Sequence, residues 1–134
     1  MDVVITEWAL ESYLNLKYEN VFSADDYKNI IRPDVELLKD GFPPQHAKFK
    51  NGKFWSSAQG KNGEAISKGY KMKWHNIGNG RVQLRLPVVI HDAKAFLCQA
   101  FVKSSEAVDY REMAKLKIRV RDIELGRYIT RGTL

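Results

Sequence analysis

Between residues 69 and 89 the chain reads GYKMKWHNIGNGRVQLRLPVV, with apolar and basic side chains alternating on both sides of a glycine-rich turn. Side chains of a strand point alternately to opposite faces. Tyr70, Met72, Trp74, Val82, Leu84 and Leu86 therefore share one face of a hairpin. Lys71, Lys73, His75, Arg81, Gln83 and Arg85 share the other. Directly opposite side chains on one face lie about 4.5–5.5 Å apart, so like charges there repel. Four fixed cations and an imidazole on one face are best explained by an anion lying across it. RNA backbone cleavage suits such a set. The ribose 2′-oxygen attacks phosphorus, charge builds on the phosphoryl oxygens, and Lys or Arg on a rigid sheet stabilises it. A histidine is the usual group to move the proton. The competing explanation is a solvated face whose cations keep the protein soluble.

Other chemistries find little support. His46, His75 and His91 do not fall at metal-ligand spacing, and Cys98 is the single cysteine. The GNG turn is not a phosphate-cradling loop, and no serine nucleophile elbow is present. No metal or cofactor is expected. Residues 1–60 carry 7 Lys and Arg against 9 Asp and Glu, whereas residues 61–134 carry 15 against 7. A basic half joined to a mildly acidic one points to an anionic partner, most often nucleic acid. Hydrophobic content of 44% and charged content of 28% fit a soluble globular protein. No apolar run approaches the roughly 18 residues of a membrane span. The N-terminal segment has no export signal, and Cys98 within AFLCQAF reads as a small buried hydrophobe, so a cytoplasmic protein without membrane association is expected.

The elements that must position the basic face follow from capping and periodicity. VVIT (3–6) reads as a short strand, and Thr6 as the cap of an apolar helix through EWALESYLNLK. Ser23 opens a second helix that ends at Gly41, with Pro33 either kinking or restarting it. Residues 41–69 read as an irregular insertion in which KFKNGKFW forms a hairpin turning at Asn51-Gly52. Strands are expected at 70–76, 81–90 and 95–103. A last helix is expected from a capping box at Asp109-x-x-Glu112 to Gly126, with Met113, Leu116, Val120 and Ile123 as its buried stripe. The order predicts one α+β domain over 1–134: a twisted antiparallel sheet of about four strands, with helices packed on one side. Trp8 and Trp74 read as core, Phe54 and Trp55 as packing for the insert or a docking surface. The tail ITRGTL is the place for any disorder.

The chain also resembles the RelE/ParE superfamily of bacterial toxins. VVITEWALESYLNLK looks like its opening strand and helix. YKMKW resembles the strand with active-site lysines, RVQLRL the next strand with its phosphate-contacting arginine, and AFLCQAFVKSSEAVDYREMAKLK the closing strand, lysine, linker and helix. The resemblance implies a RelE-like fold and a metal-free endoribonuclease cleaving mRNA, in the ribosomal A site, with a cognate antitoxin as partner. Lys71 and Lys73 then match the strand lysines, as general base and phosphate clamp. Arg85 matches the arginine, with Arg81 second, and Lys103 matches the basic residue ending the last strand. Tyr110 matches the aromatic near the final helix, with Tyr128 a second candidate. His75 has no family equivalent and stays a proton-transfer candidate. Arg111 and Lys115, with Arg119 and Arg121, form a polar helix face that is solvated, touches ribosomal RNA or takes the antitoxin. The 41–69 insertion and the C-terminal tail depart from the family pattern. Two rivals remain: a ParE-like gyrase inhibitor without ribonuclease activity, and a non-catalytic nucleic-acid-binding module.

Overall fold

A computed structural model describes residues 1–134. Strand β1 (Asp2–Thr6) leads directly into helix α1 (Glu7–Tyr18). Thr6 serves both elements: its Oγ1 accepts from the Ala9 N–H at 3.2 Å and donates to the Leu97 carbonyl at 2.6 Å. Ser23 caps α2 (Ala24–Asp26), and a π-helical turn at Tyr27–Ile31 joins α2 to α3 (Arg32–Glu36). Pro33 stands in the first turn of α3, so it both restarts the helix and follows a local irregularity. A proline cannot donate the bond a continuous α-helix needs there.

The remaining strands are β2 (Trp55–Gln59), β3 (Ala65–Ile77), β4 (Val82–His91), β5 (Lys94–Leu97), β6 (Phe101–Val102) and β7 (Thr130–Thr133). Helix α4 (Glu106–Glu124) follows β6. Sheet order is β2-β3-β4-β5-β1-β7, with β6 also paired to β4. The sheet is mixed rather than antiparallel, because β1 and β5 run parallel, and it is larger than the four strands expected. The expected 95–103 strand is present as β5 and β6, interrupted at 98–100, both lying along β4.

Helices cover both faces, not one. Met72, Trp74, Leu84, Leu86 and Val88 pack with Ala9, Ile31 and Val35 of α1 and the segment around α3. Ile66, Val89, Phe96 and Cys98 pack on the other face with Met113, Leu116, Val120 and Ile123 of α4. The reason lies in β4. Beyond Arg85 its alternation gives way to LPVVI, buried throughout, the pattern of a strand covered on both sides. Gly69 admits α4 closely: a Cβ there would lie 3.2 Å from Leu116 Cδ2. Cys98 is fully buried, and that burial pushes its thiol up to about 12.

Three local expectations are corrected. Asn51-Gly52 is not a hairpin turn; Ala47–Lys50 form a 3-10 turn, and the β2–β3 hairpin closes instead at Gly60–Glu64, around the other Asn-Gly pair, with Gly63 at φ +77°. Phe49 and Phe54 are buried, and Trp55 stacks on Tyr70 with ring centroids 5.0 Å apart, so this stretch is packed against the sheet. The cap of α4 is Ser105, whose Oγ accepts from the Val108 N–H, not Asp109. Gly126 does end the helix, at φ +72°, with Arg127 N–H reaching the Asp122 carbonyl. The tail is not disordered but adds β7 to the edge at β1. No helix is long and apolar enough to cross a membrane.

Candidate phosphate-binding site

The β3–β4 register sets Lys73 directly opposite Arg85 and Lys71 opposite Pro87. Lys71, Lys73 and Arg85 thus share the face that α4 covers. Phe101 of β6 pairs with Arg85, and the Lys103 N–H donates to the Gln83 carbonyl, which brings the Lys103 side chain to the same end. α4 begins immediately above this cluster.

Two of the four cations are neutralised by α4. Lys71 Nζ lies 3.2 and 3.4 Å from the carboxylate oxygens of Asp109, and both side chains are largely buried. Lys103 Nζ lies 2.9 Å from Glu106, the better exposed of that pair. The Lys103 hydrogen bond and charge hold the Glu106 carboxyl below its ordinary value. A cap at Ser105 is what places these carboxylates here, one and four residues into the helix. Acidic residues also suit the positive end of a helix.

Lys73 and Arg85 have no such partner. Arg85 is 4% exposed. Its Nη1 donates to the Leu84 carbonyl at 3.1 Å and, at the 3.5 Å limit, to that of Trp74; its Nη2 donates to Gln83 Oε1 at 3.1 Å. No carboxylate lies within ion-pairing distance of either Arg85 or Lys73. Burial lowers the pKa of Arg85, against the opposing pull of Asp109 and Glu106. Burial also lowers that of Lys73, reinforced by the charges of Lys71, Arg85 and Lys103. A charge removed from water without compensation is costly, and an anion placed between these two groups relieves both.

The other candidates lie apart from this pair. His75 is exposed, and its Nε2 stands 2.9 Å from the Lys53 carbonyl, which requires that nitrogen to carry the proton. A β-bulge between Trp74 and Ile77 separates it from the regular ladder. Arg81 is exposed at the turn. Tyr110 is partly buried on α4, one residue beyond Asp109. Arg111 and Lys115 face the opposite side of α4, where Lys115 pairs with Glu112 and both line a cleft against α1. Tyr128 packs edge-on against Phe96, away from the cluster. Sequence reasoning did not name Glu106, and it placed Asp109 in a capping box and Gln83 on the basic face without giving either a role at the site. The Ser-Ser-Glu run before the helix was the available signal, since Ser105 with an acidic first turn is a good helix start.

Comparisons of the chain with protein-family models, with curated proteins and with solved structures return no match.

Proposed function

We propose that the chain binds RNA through its phosphodiester backbone at Lys73 and Arg85 and cleaves it, as a RelE/HigB-type toxin acting on mRNA at the ribosome and held in check by an antitoxin. The observation that supports this is the facing pair of partly desolvated cations without a counter-ion. Cations placed for mere solubility would be hydrated, whereas Arg85 is buried and fixed by Gln83 and strand carbonyls.

Each group has a distinct task. Lowering the pKa of Lys73 raises the fraction of neutral amine, which alone can take the proton from the ribose 2′-hydroxyl. The 2′-oxygen then bonds to phosphorus, and the negative charge on the non-bridging oxygens falls to Arg85, preorganised and dry. The P–O5′ bond breaks, and O5′ takes a proton, leaving a 2′,3′-cyclic phosphate and a 5′-hydroxyl. Tyr110, one residue beyond Asp109 on α4, is the candidate to orient the nucleotide or deliver that last proton. Lys71 and Lys103, paired with Asp109 and Glu106, flank the unpaired cations. His75, bound to the Lys53 carbonyl, and Arg81 steer the approaching backbone.

The test maps RNA 5′-hydroxyl ends in cells briefly expressing the chain, beside a Lys73→Ala/Arg85→Met control. New ends within translated frames, absent from the control, are expected. Growth arrest without new ends would transfer the assignment to a gyrase-directed toxin. Neither arrest nor ends would leave only nucleic-acid binding.

A further inference from the structure

On the sheet face opposite Lys73 and Arg85, a cavity of about 330 Å³ lies between β4, α1 and the helical segment that runs from α2 to α3. That volume is within the range of small-ligand sites. Leu10 and Tyr13 of α1, Tyr27 and Ile31 of the π-helical turn, and Leu84 and Leu86 of β4 form much of its wall. Of the 16 residues that line it, 15 are hydrophobic, and the other is Arg32. Protein interiors are close-packed and leave few voids larger than a water molecule, so a space of this size calls for an occupant. No residue with an unpaired buried polar atom lines it, and the indole N–H of Trp74, on the same wall, donates to Asp34 at 2.9 Å. Such walls hold water poorly, and an apolar cavity takes an apolar guest.

The π turn decides which side chains meet at the mouth. In a regular α-helix, residues five apart point about 140° away from each other. Here the Arg32 N–H donates to the Tyr27 carbonyl, a bond across five residues that stacks the two on one wall. Turns of this kind recur at functional sites. The Arg32 side chain is 50% exposed, so it stands at the opening rather than inside. Its Nε donates to Glu36 Oε1 at 2.9 Å, which leaves the two amino groups of the fork for a second carboxylate. Tyr13 and Phe22 pack against the Tyr27 ring, with centroids 5.1 and 6.1 Å away, and brace that side of the opening.

An apolar cavity of about 150 Å³ takes benzene, so by proportion this one takes on the order of ten to twelve carbon atoms. We propose that it binds a medium-chain fatty acid, with the alkyl chain between α1 and the sheet and the carboxylate on Arg32. The single cation at the mouth suits one anionic head. A sugar, a nucleotide or a peptide would bury polar atoms against walls that offer them no partner. The site goes beyond the RNA reading and stands whether or not RNA is cleaved.

Isothermal titration of the full chain with decanoate, decanol and butanoate, all below micelle formation, tests it. Decanoate is expected to bind one to one. Decanol, with a hydroxyl in place of the carboxylate, should bind about tenfold more weakly, and Arg32→Gln should weaken decanoate by a similar factor. Butanoate, six methylenes shorter, should bind at least about a hundredfold more weakly. Ala9 lines the cavity, so Ala9→Leu fills part of it and should weaken decanoate by on the order of tenfold. Circular dichroism confirms the fold of both variants, and the ligand series needs no variant at all. No binding at millimolar decanoate, equal affinity for decanoate and either of the other two ligands, or binding unchanged by Ala9→Leu would overturn the assignment.

Discussion

Arg85 separates a structural cation from a ligand-binding one, and Arg85→Met separates them by experiment. Methionine nearly matches the length of the side chain but carries no charge. The substitution removes two hydrogen bonds of 3.1 Å and one marginal contact at 3.5 Å. At about 1 kcal/mol for each good bond, the loss is about 2 kcal/mol. Against it stands the relief of a buried cation that has no carboxylate beside it, a desolvation penalty of several kcal/mol. The expected variant is as stable as the parent or more so. Phosphate should stabilise the parent and leave the variant unchanged. At ten times its Kd a ligand specific for the native state adds about 1.4 kcal/mol, or RT ln 11. For a domain of this size that raises Tm by about 4 to 5 °C. The assay is thermal unfolding in phosphate against chloride at matched ionic strength, for both proteins. A variant more than about 3 kcal/mol less stable than the parent would mark Arg85 as a structural pin. A phosphate shift of equal size in both proteins would show that the anion binds elsewhere.

Lys73 gives a pH signature. Its folded-state pKa is lowered, so the unfolded chain holds the proton more tightly. Stability must therefore rise as pH climbs from the folded pKa towards the ordinary lysine value, and Lys73→Met should flatten that rise in denaturant titrations across alkaline pH; a parallel pair of curves would contradict the assignment. Gly69→Val should cost about 1 to 3 kcal/mol by overpacking, since even a Cβ lies 3.1 Å from Ile66 Cγ2 and 3.2 Å from Leu116 Cδ2, with urea midpoints as the measure. Truncation after Tyr128 removes β7, the 2.8 Å bond from Glu7 N–H to the Ile129 carbonyl, the Leu134–Val3 bond and the Arg131–Glu7 ion pair. It should cost on the order of 2 kcal/mol and promote self-association through the bared β1 edge, visible by light scattering; an unchanged midpoint would mean the strand adds nothing.

The hairpin was legible because its alternation is regular from Tyr70 to Trp74 and from Val82 to Leu86, and the observed register puts Met72 beside Leu86 and Trp74 beside Leu84. The caps at Thr6 and Ser23 and the Gly126 stop were legible for the same local reason. What failed was whatever depended on distant contacts. Asp109-x-x-Glu112 has the form of a capping box, yet both residues are buried and paired, a use that becomes visible only when α4 lies on the sheet. That placement was itself foreshadowed by the unbroken run Pro87–Ile90, read only as part of a strand. β7, with the sequence TRGT, has no apolar alternation, and only the free edge of β1 draws it into the sheet. Phase along the strand groups His75 with Lys73, but the bulge before Ile77 and the carbonyl of Lys53 hold it elsewhere.

The position of α4 resolves the puzzle of a basic sheet face. An uncovered face with Lys71, Lys73, Arg85 and Lys103 would be hydrated, and its cations would act only as diffuse charge. A face wholly covered by an acidic helix would be quenched. Here the helix brings two carboxylates to four cations, and its start lies over one end of the cluster. Arg85 is buried, while the acids of the helix are spent on Lys71 and Lys103. Water exclusion strengthens every charge interaction that remains. The result is a pair of cations poised opposite each other, one a fixed guanidinium and one an amine whose proton is loosened by its surroundings. Those are the two properties on which the proposed phosphodiester transfer draws, and neither residue could acquire them from the sheet alone.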